Sequence, residues 1–200
     1  MIIGITGGIG AGKSTVLQYM KEHYPVYTIV ADDVARQLQS PGGTIYYQMI
    51  EAFGEDILND DGMLNRQRVA SLVFSNEEKR KQLNAMVHPA VRQEIERQIE
   101  RNCGSYEHIV VEAALLIEEH YDDICDEFWY IDAKKDIRIK RLMDSRGYEK
   151  DQCERIMAGQ LSREEFQRAC SVTIDNSGDM ERLKEQLDQL LGRIENASSI

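Results

Sequence analysis

Apolar positions come in short runs with helix-spaced stretches between them. "MIIGIT" places Ile2, Ile3 and Ile5 in a strand at residues 1–6. "KSTVLQYMKEHY" follows with Val16, Leu17 and Met20 at helical spacing. "YPVYTIVA" (24–31) reads as a second buried strand opened by Pro25, and "DDVARQL" as the start of a helix, with an aspartate as its cap. After the turn "SPGG" (40–43) the texture changes. From Thr44 to about Asn102 the pattern is helical with no convincing strand. A helix begins at an Asn65 cap, and Pro89 either breaks the long run from 76 to 102 or opens a new helix. Strands return at 109–111, 126–133 and 171–178, the last after a helical, arginine-rich stretch. The tail from Asp179 to Glu195 sets Met180, Leu183, Leu187, Leu190, Leu191 and Ile194 on one face, the pattern of a helix packed on the sheet, with a partner-binding helix as the alternative.

Five short apolar strands interleaved with helices predict an α/β fold with a parallel sheet covered on both faces. In such sheets ligands bind beyond the carboxyl ends of the strands. A glycine-rich loop, the pair Asp32 and Asp33, and Glu112 all fall at such ends.

The loop is "GITGGIGAGKST", beginning at residue 4. Gly7 to Ser14 matches G-x-x-x-x-G-K-[ST] in full, after a strand and before a helix. Glycines allow successive backbone N–H groups to turn inward toward phosphate oxygens, and the helix adds its positive end. Lys13 is placed to reach the β- and γ-phosphates and Ser14 to hold Mg²⁺. The expected ligand is a nucleoside triphosphate, gripped by Gly8, Gly10, Ala11, Gly12, Lys13, Ser14 and Thr15. The absence of N-K-x-D argues against a guanine-reading switch protein.

Composition narrows the remaining classes. The 200-residue chain carries a net charge of −11, which disfavours nucleic acid and anionic membrane as partners. No apolar run reaches membrane-spanning length, no signal pattern opens the chain, and no protein partner is evident. Cys103, Cys125, Cys153 and Cys170 form no C-x-x-C pair, so structural thiols in a cytoplasmic protein are expected. Against the acidic whole, residues 134–168 hold ten basic and seven acidic side chains. Either they form a solvated charged face or they belong to a lid that brings guanidinium groups to the transferring phosphoryl. Arg138 and Arg141 share a helical face there. A carboxylate at Asp32 or Asp33 can take a proton from an attacking hydroxyl. Arg36 either binds a substrate phosphate or pairs with one of these aspartates. His88 and Arg92, one turn apart, are either a structural pair or an acceptor site.

Taken together these segments resemble the dephospho-coenzyme A kinase family over nearly the whole chain. The resemblance is carried by "GITGGIGAGKST", "ADDVAR", "VHPAVR", "VVEAALLIE", "RIKRLMDSRG", "RIMAGQ" and "TIDNSG", in that order. It implies a P-loop NTPase-type three-layer sandwich. Residues 1–43, 104–133 and 171–200 would form the nucleotide-binding core, 44–103 a helical acceptor-binding insertion, and 134–170 a lid. It implies ATP-dependent phosphorylation of the ribose 3′-hydroxyl of dephospho-coenzyme A with Asp32 as base. Lys13 and Arg141 would assist catalysis, and Arg146 and Asn176 would join the ATP site. Arg36, His88 and Arg92 would bind the acceptor, and Ser14 and Glu112 would hold the metal. A nucleoside or nucleotide kinase and a non-catalytic nucleotide-binding module are the alternatives. The chain departs from the family pattern at Val30, Ala114, Ser145, Phe166, Cys170 and Ser171.

Overall fold

The computed structural model describes residues 1–198, with side-chain surroundings through Gly192. The strands are β1 (Ile2–Thr6), β2 (Val26–Val30), β3 (His108–Glu112), β4 (Glu127–Asp132) and β5 (Val172–Asp175). They form one sheet in the order β2-β3-β1-β4-β5. The pairs β1–β3, β1–β4 and β4–β5 are parallel, with Ile5 opposite Glu112 and Thr6 opposite Tyr130. Ile3, Ile5, Val110, Val111, Trp129 and Ile131 are all fully buried, on neighbouring as well as alternate positions. That burial on both faces is why the strands read as continuous apolar runs.

The helices are α1 (Lys13–His23), α2 (Ala31–Leu38), α3 (Thr44–Phe53), α4 (Arg66–Phe74), α5 (Glu77–Asn102), α6 (Lys135–Arg146), α7 (Lys150–Ala158), α8 (Arg163–Ala169) and α9 (Met180–Ser198). They fall into two compact units, residues 1–28 with 103–200, and residues 29–102. In the first, α9 packs on β5 and α1 through Leu183, Leu187 and Leu191. Met180, assigned to that apolar face, is instead nearly half exposed at the helix start. The side chain of Ile194 lies outside the described residues.

The second unit is helical. Ile45, Met49 and Ile57 form its centre, with Leu64, Val69, Leu72, Leu83 and Val87 packed around them. Asn65 caps α4 by accepting from the Arg68 amide at 3.0 Å. Two readings need correction. Pro89 neither ends nor begins a helix, because α5 runs through it without a break. An interior proline removes one backbone bond and costs roughly 3 kcal/mol. Packing holds the helix on both sides of it, through Leu83 and Val87 before and the buried Val91, Ile95 and Ile99 after. Nor does an aspartate cap α2. Its N-cap is Val30, without a side-chain cap bond, because β2 runs straight into the helix. Asp32 and Asp33 occupy the first turn, where their charge favours the helix N-terminus.

Candidate active site

The loop between β1 and α1 is shaped by glycines in positions no other residue fills well. Gly10 and Gly12 have φ of +77° and +93°. A Cβ at Gly12 would collide with the Asn176 side-chain amide, and one at Gly10 would meet the Arg138 carbonyl oxygen at 2.9 Å. The Ala11 amide donates to the Gly8 carbonyl at 3.1 Å, and Thr15 and Val16 donate to Gly12. The amides of Gly10, Gly12, Lys13 and Ser14 have no hydrogen-bond partner among the described residues. Unspent donors at a helix N-terminus make an anion cradle. The Lys13 ammonium donates to the Gly7 carbonyl at 2.9 Å and lies 3.5 Å from a Glu112 carboxylate oxygen. The β1–β3 register sets up that pair, since it places Glu112 level with Ile5 at the carboxyl edge of the sheet.

A second layer of side chains closes on the loop from behind. Asn176, buried just after β5, donates its side-chain amide to the Ala11 carbonyl at 2.7 Å. Its backbone N–H donates to the Asp132 carbonyl at 2.7 Å. Arg141 on α6 donates to the carbonyls of Ala11 (3.2 Å) and Asn176 (2.9 Å). Arg138, one turn earlier, donates from Nε to the Ile9 carbonyl at 2.8 Å. It also donates to the Gln160 Oε1 at 3.1 Å, and that oxygen accepts from the Ile9 amide at 3.0 Å.

Asp132, at the end of β4, is buried with both carboxylate oxygens occupied. It accepts from the Tyr130 hydroxyl (3.0 Å) and from Arg163 on α8 (2.7 Å). Burial, reinforced by the Asp132 charge, pushes the Tyr130 phenol well above its usual pKa. Position 166, where the chain departs from the expected family pattern, holds no basic group. Phe166 is instead buried and stacks on Tyr130 at 4.7 Å with the rings 7° apart.

The structure therefore brings Lys13, Glu112, Arg141 and Asn176 to the loop, and Ser14 stands exposed at its helical end. Arg146 is not among the loop contacts. It lies at the exposed end of α6, 6.0 Å from the Tyr148 ring centre. Arg138, Gln160, Asp132 and Arg163 were missed as site residues. The shared helical face of Arg138 and Arg141 was the available signal for the first, Gln160 closes the "RIMAGQ" segment, Arg163 is one of the ten basic residues of 134–168, and nothing marked Asp132.

In the helical unit, Asp32 is exposed and its carboxylate has no partner among the described residues. Arg36 pairs with Asp33 at 2.6 Å. Both groups are more than half exposed, so the pair contributes little to stability. His88 and Arg92 are half-buried one turn apart on α5, and Arg92 donates to Glu96 at 3.1 Å. Arg92 also lines a groove of about 920 Å³ between α3 and α5, with Gln48, Glu51 and Pro89.

A family model described as dephospho-CoA kinase matches residues 1–182. The chain belongs to the dephospho-CoA kinase family. A Carboxydothermus hydrogenoformans member is 37% identical over 191 residues, covering 95% of this chain and 92% of the relative. One from Aromatoleum aromaticum is 39% identical, with 96% and 93% covered. Among solved structures, a Thermus thermophilus protein superposes with a TM-score of 0.81 at 29% identity, covering 96% of this chain and 97% of that one. A Bacteroides thetaiotaomicron shikimate kinase, at 15% identity and a TM-score of 0.52 over 96% and 98% of the two chains, shares the fold alone. Membership makes the chain an ATP-using phosphotransferase with an alcohol acceptor.

Oxygen ligands suit a magnesium ion here. The Ser14 hydroxyl and the Glu112 carboxylate are the oxygen donors read for it from the sequence. Among the described residues no cluster of three or more His, Cys, Asp or Glu side chains forms a metal cage. Mg²⁺ commonly binds through one or two protein oxygens together with water and substrate phosphates, so the site fits it.

Proposed function

We propose that this protein transfers the γ-phosphoryl group of ATP to the ribose 3′-hydroxyl of dephospho-coenzyme A, giving coenzyme A. The observation that carries the reading is the unspent amide cradle with Lys13 above it, in a chain that matches the family from residue 1 to 182. Phosphoryl transfer needs charge stabilisation and alignment more than covalent chemistry. The cradle amides and Lys13 hold the triphosphate. On binding, Lys13 exchanges the Gly7 carbonyl for phosphate oxygen, a charge-assisted bond of greater strength. Arg141 fixes the loop by its bonds to Ala11 and Asn176 and supports the developing charge. Ser14 and Glu112 would hold Mg²⁺, which would neutralise phosphate charge when bound.

On the acceptor side, Asp32 is the general base. Its carboxylate has no partner among the described residues, whereas that of Asp33 is engaged by Arg36. Arg36, His88 and Arg92 bind the acceptor, and Arg146 joins the nucleotide site from the end of α6. Asn176 serves that site by anchoring the loop. No described helix is long and apolar enough to cross a membrane, and a cytoplasmic enzyme acting without a nucleic-acid or obligate protein partner completes the reading.

The test is ADP release with ATP, Mg²⁺ and a panel of acceptors. Dephospho-coenzyme A should support turnover and nucleosides should not. Asp32→Asn should lower turnover by a factor on the order of 10²–10⁴ with ATP binding kept. Equal turnover of wild type and Asp32→Asn would move the base elsewhere.

A further inference from the structure

Gly8 sits in the phosphate loop without a left-handed φ, so backbone strain does not explain the glycine. Its neighbour does. A Cβ at position 8 would run into the Arg138 guanidinium, which lies directly over this residue. Arg138 is half-buried, and two of its bonds are structural: Nε to the Ile9 carbonyl and one terminal N–H to Gln160. A guanidinium has five N–H donors. The remaining three have no partner among the described residues. The nearby carboxylate, Asp132, has both oxygens committed to Tyr130 and Arg163. The Asp132 charge acts on Arg138, but among the described residues no carboxylate hydrogen-bonds this half-buried guanidinium, and its open donors lie beside Gly8 of the loop.

We infer that Arg138 is a phosphate-binding residue for the nucleoside triphosphate, seated by the missing side chain of Gly8 and aimed by the Ile9 carbonyl and Gln160. The inference rests on the reading of the loop as a triphosphate site and adds a residue to it. Arg138, Ile9 and Gln160 form a closed ring in which both polar atoms of the Ile9 peptide are occupied. That ring fixes the guanidinium before nucleotide arrives, so little ordering is left to binding. The fork geometry matters as well as the charge, since lysine has only a point-like ammonium. The reduced proton affinity that burial gives Arg138 has the same origin: its charge has been taken partly out of water without full compensation.

The experiment is calorimetric titration with ATP, alongside KM for ATP, on wild type, Arg138→Gln, Arg138→Lys, Gly8→Ala and the Gly8→Ala/Arg138→Gln double variant. Arg138→Gln should weaken ATP binding on the order of 10- to 100-fold, the range for losing charge-assisted hydrogen bonds. Arg138→Lys should recover only part of it. Gly8→Ala should weaken binding in the wild-type background and have little further effect beside Arg138→Gln, because the clash is then gone. Thermal melts accompany each variant. If Arg138→Gln does not fold, Arg138→Lys and Gly8→Ala decide the matter. ATP affinity for Arg138→Gln within twofold of wild type would overturn the assignment. So would an equal cost of Gly8→Ala in both backgrounds. Failure of wild type itself to bind ATP would instead overturn the reading of the loop.

Discussion

Asn176 connects the loop, the end of β4 and α6 through three hydrogen bonds, only one of which uses its side chain. Replacing it with alanine removes the 2.7 Å bond to the Ala11 carbonyl and leaves both backbone bonds in place. The Ala11 carbonyl keeps its Arg141 partner at 3.2 Å, so it is not orphaned. The loss is one net hydrogen bond, about 1 kcal/mol, plus a small void where the amide sat, for a total of about 1–2 kcal/mol. In a 200-residue chain that lowers Tm by about 2–8 °C. Asn176→Asp is expected to be worse, because a carboxylate would face the Ala11 carbonyl where a donor stood. Part of that repulsion is offset by Arg141. The amides that depend on the loop's shape should lose alignment, so KM for ATP rises in both variants, by up to about tenfold for 1.4 kcal/mol of the loss. Calorimetric melts and initial rates against ATP check both effects. Asn176→Ala with an unchanged Tm and unchanged KM would refute the claim that this side chain anchors the loop.

Other expectations concern protonation. Glu154 beside Lys135, Glu165 in the α8 capping box with Ser162, and Asp175 bonded to Ser177 all have pKa values held below the usual carboxylate range. Depressed carboxylates stabilise the fold above their unfolded pKa, about 4, and lose that contribution as pH falls through the folded values. Stability measured by urea melts should therefore be flat from pH 7 to about 5 and fall below about 4; a constant midpoint down to pH 3 would contradict this. Burial pushes the Cys170 thiol up to about 11, whereas Cys103 is exposed. At pH 8 a thiolate-directed alkylating agent should label Cys103 in the native protein and leave Cys170 unmodified until denaturation, as mass spectrometry of peptides would show.

The parts of this protein that sequence made legible are those that depend on local chemistry. The loop needs glycine in particular places and a following Lys-Ser, so its pattern is visible without knowing what surrounds it. The five strands were legible because burial on both faces removes polar residues from them. Asn65 stood out because a side-chain cap is a three-residue affair. What was hidden depends on residues far apart in the chain. Pro89 reads as a break until the packing on both sides of it is known. Arg146 was the arginine expected at the ATP site, yet it is Arg138 that lies over Gly8. Gln160 and Arg163 acquire their meaning from Ile9 and Asp132, 151 and 31 residues away. Phe166 reads as a departure in a charged stretch until its stacking on Tyr130 beside the Arg163–Asp132 pair is seen.

The central claim is that the loop's triphosphate is spent on dephospho-coenzyme A. Coupled measurement of ADP, with mass-spectrometric detection of the acceptor product, tests it directly. The expected result is one ADP per molecule of coenzyme A formed, dependent on Mg²⁺ and lost in Lys13→Ala. ATP binding with no product from dephospho-coenzyme A, or faster turnover with another acceptor, would contradict it.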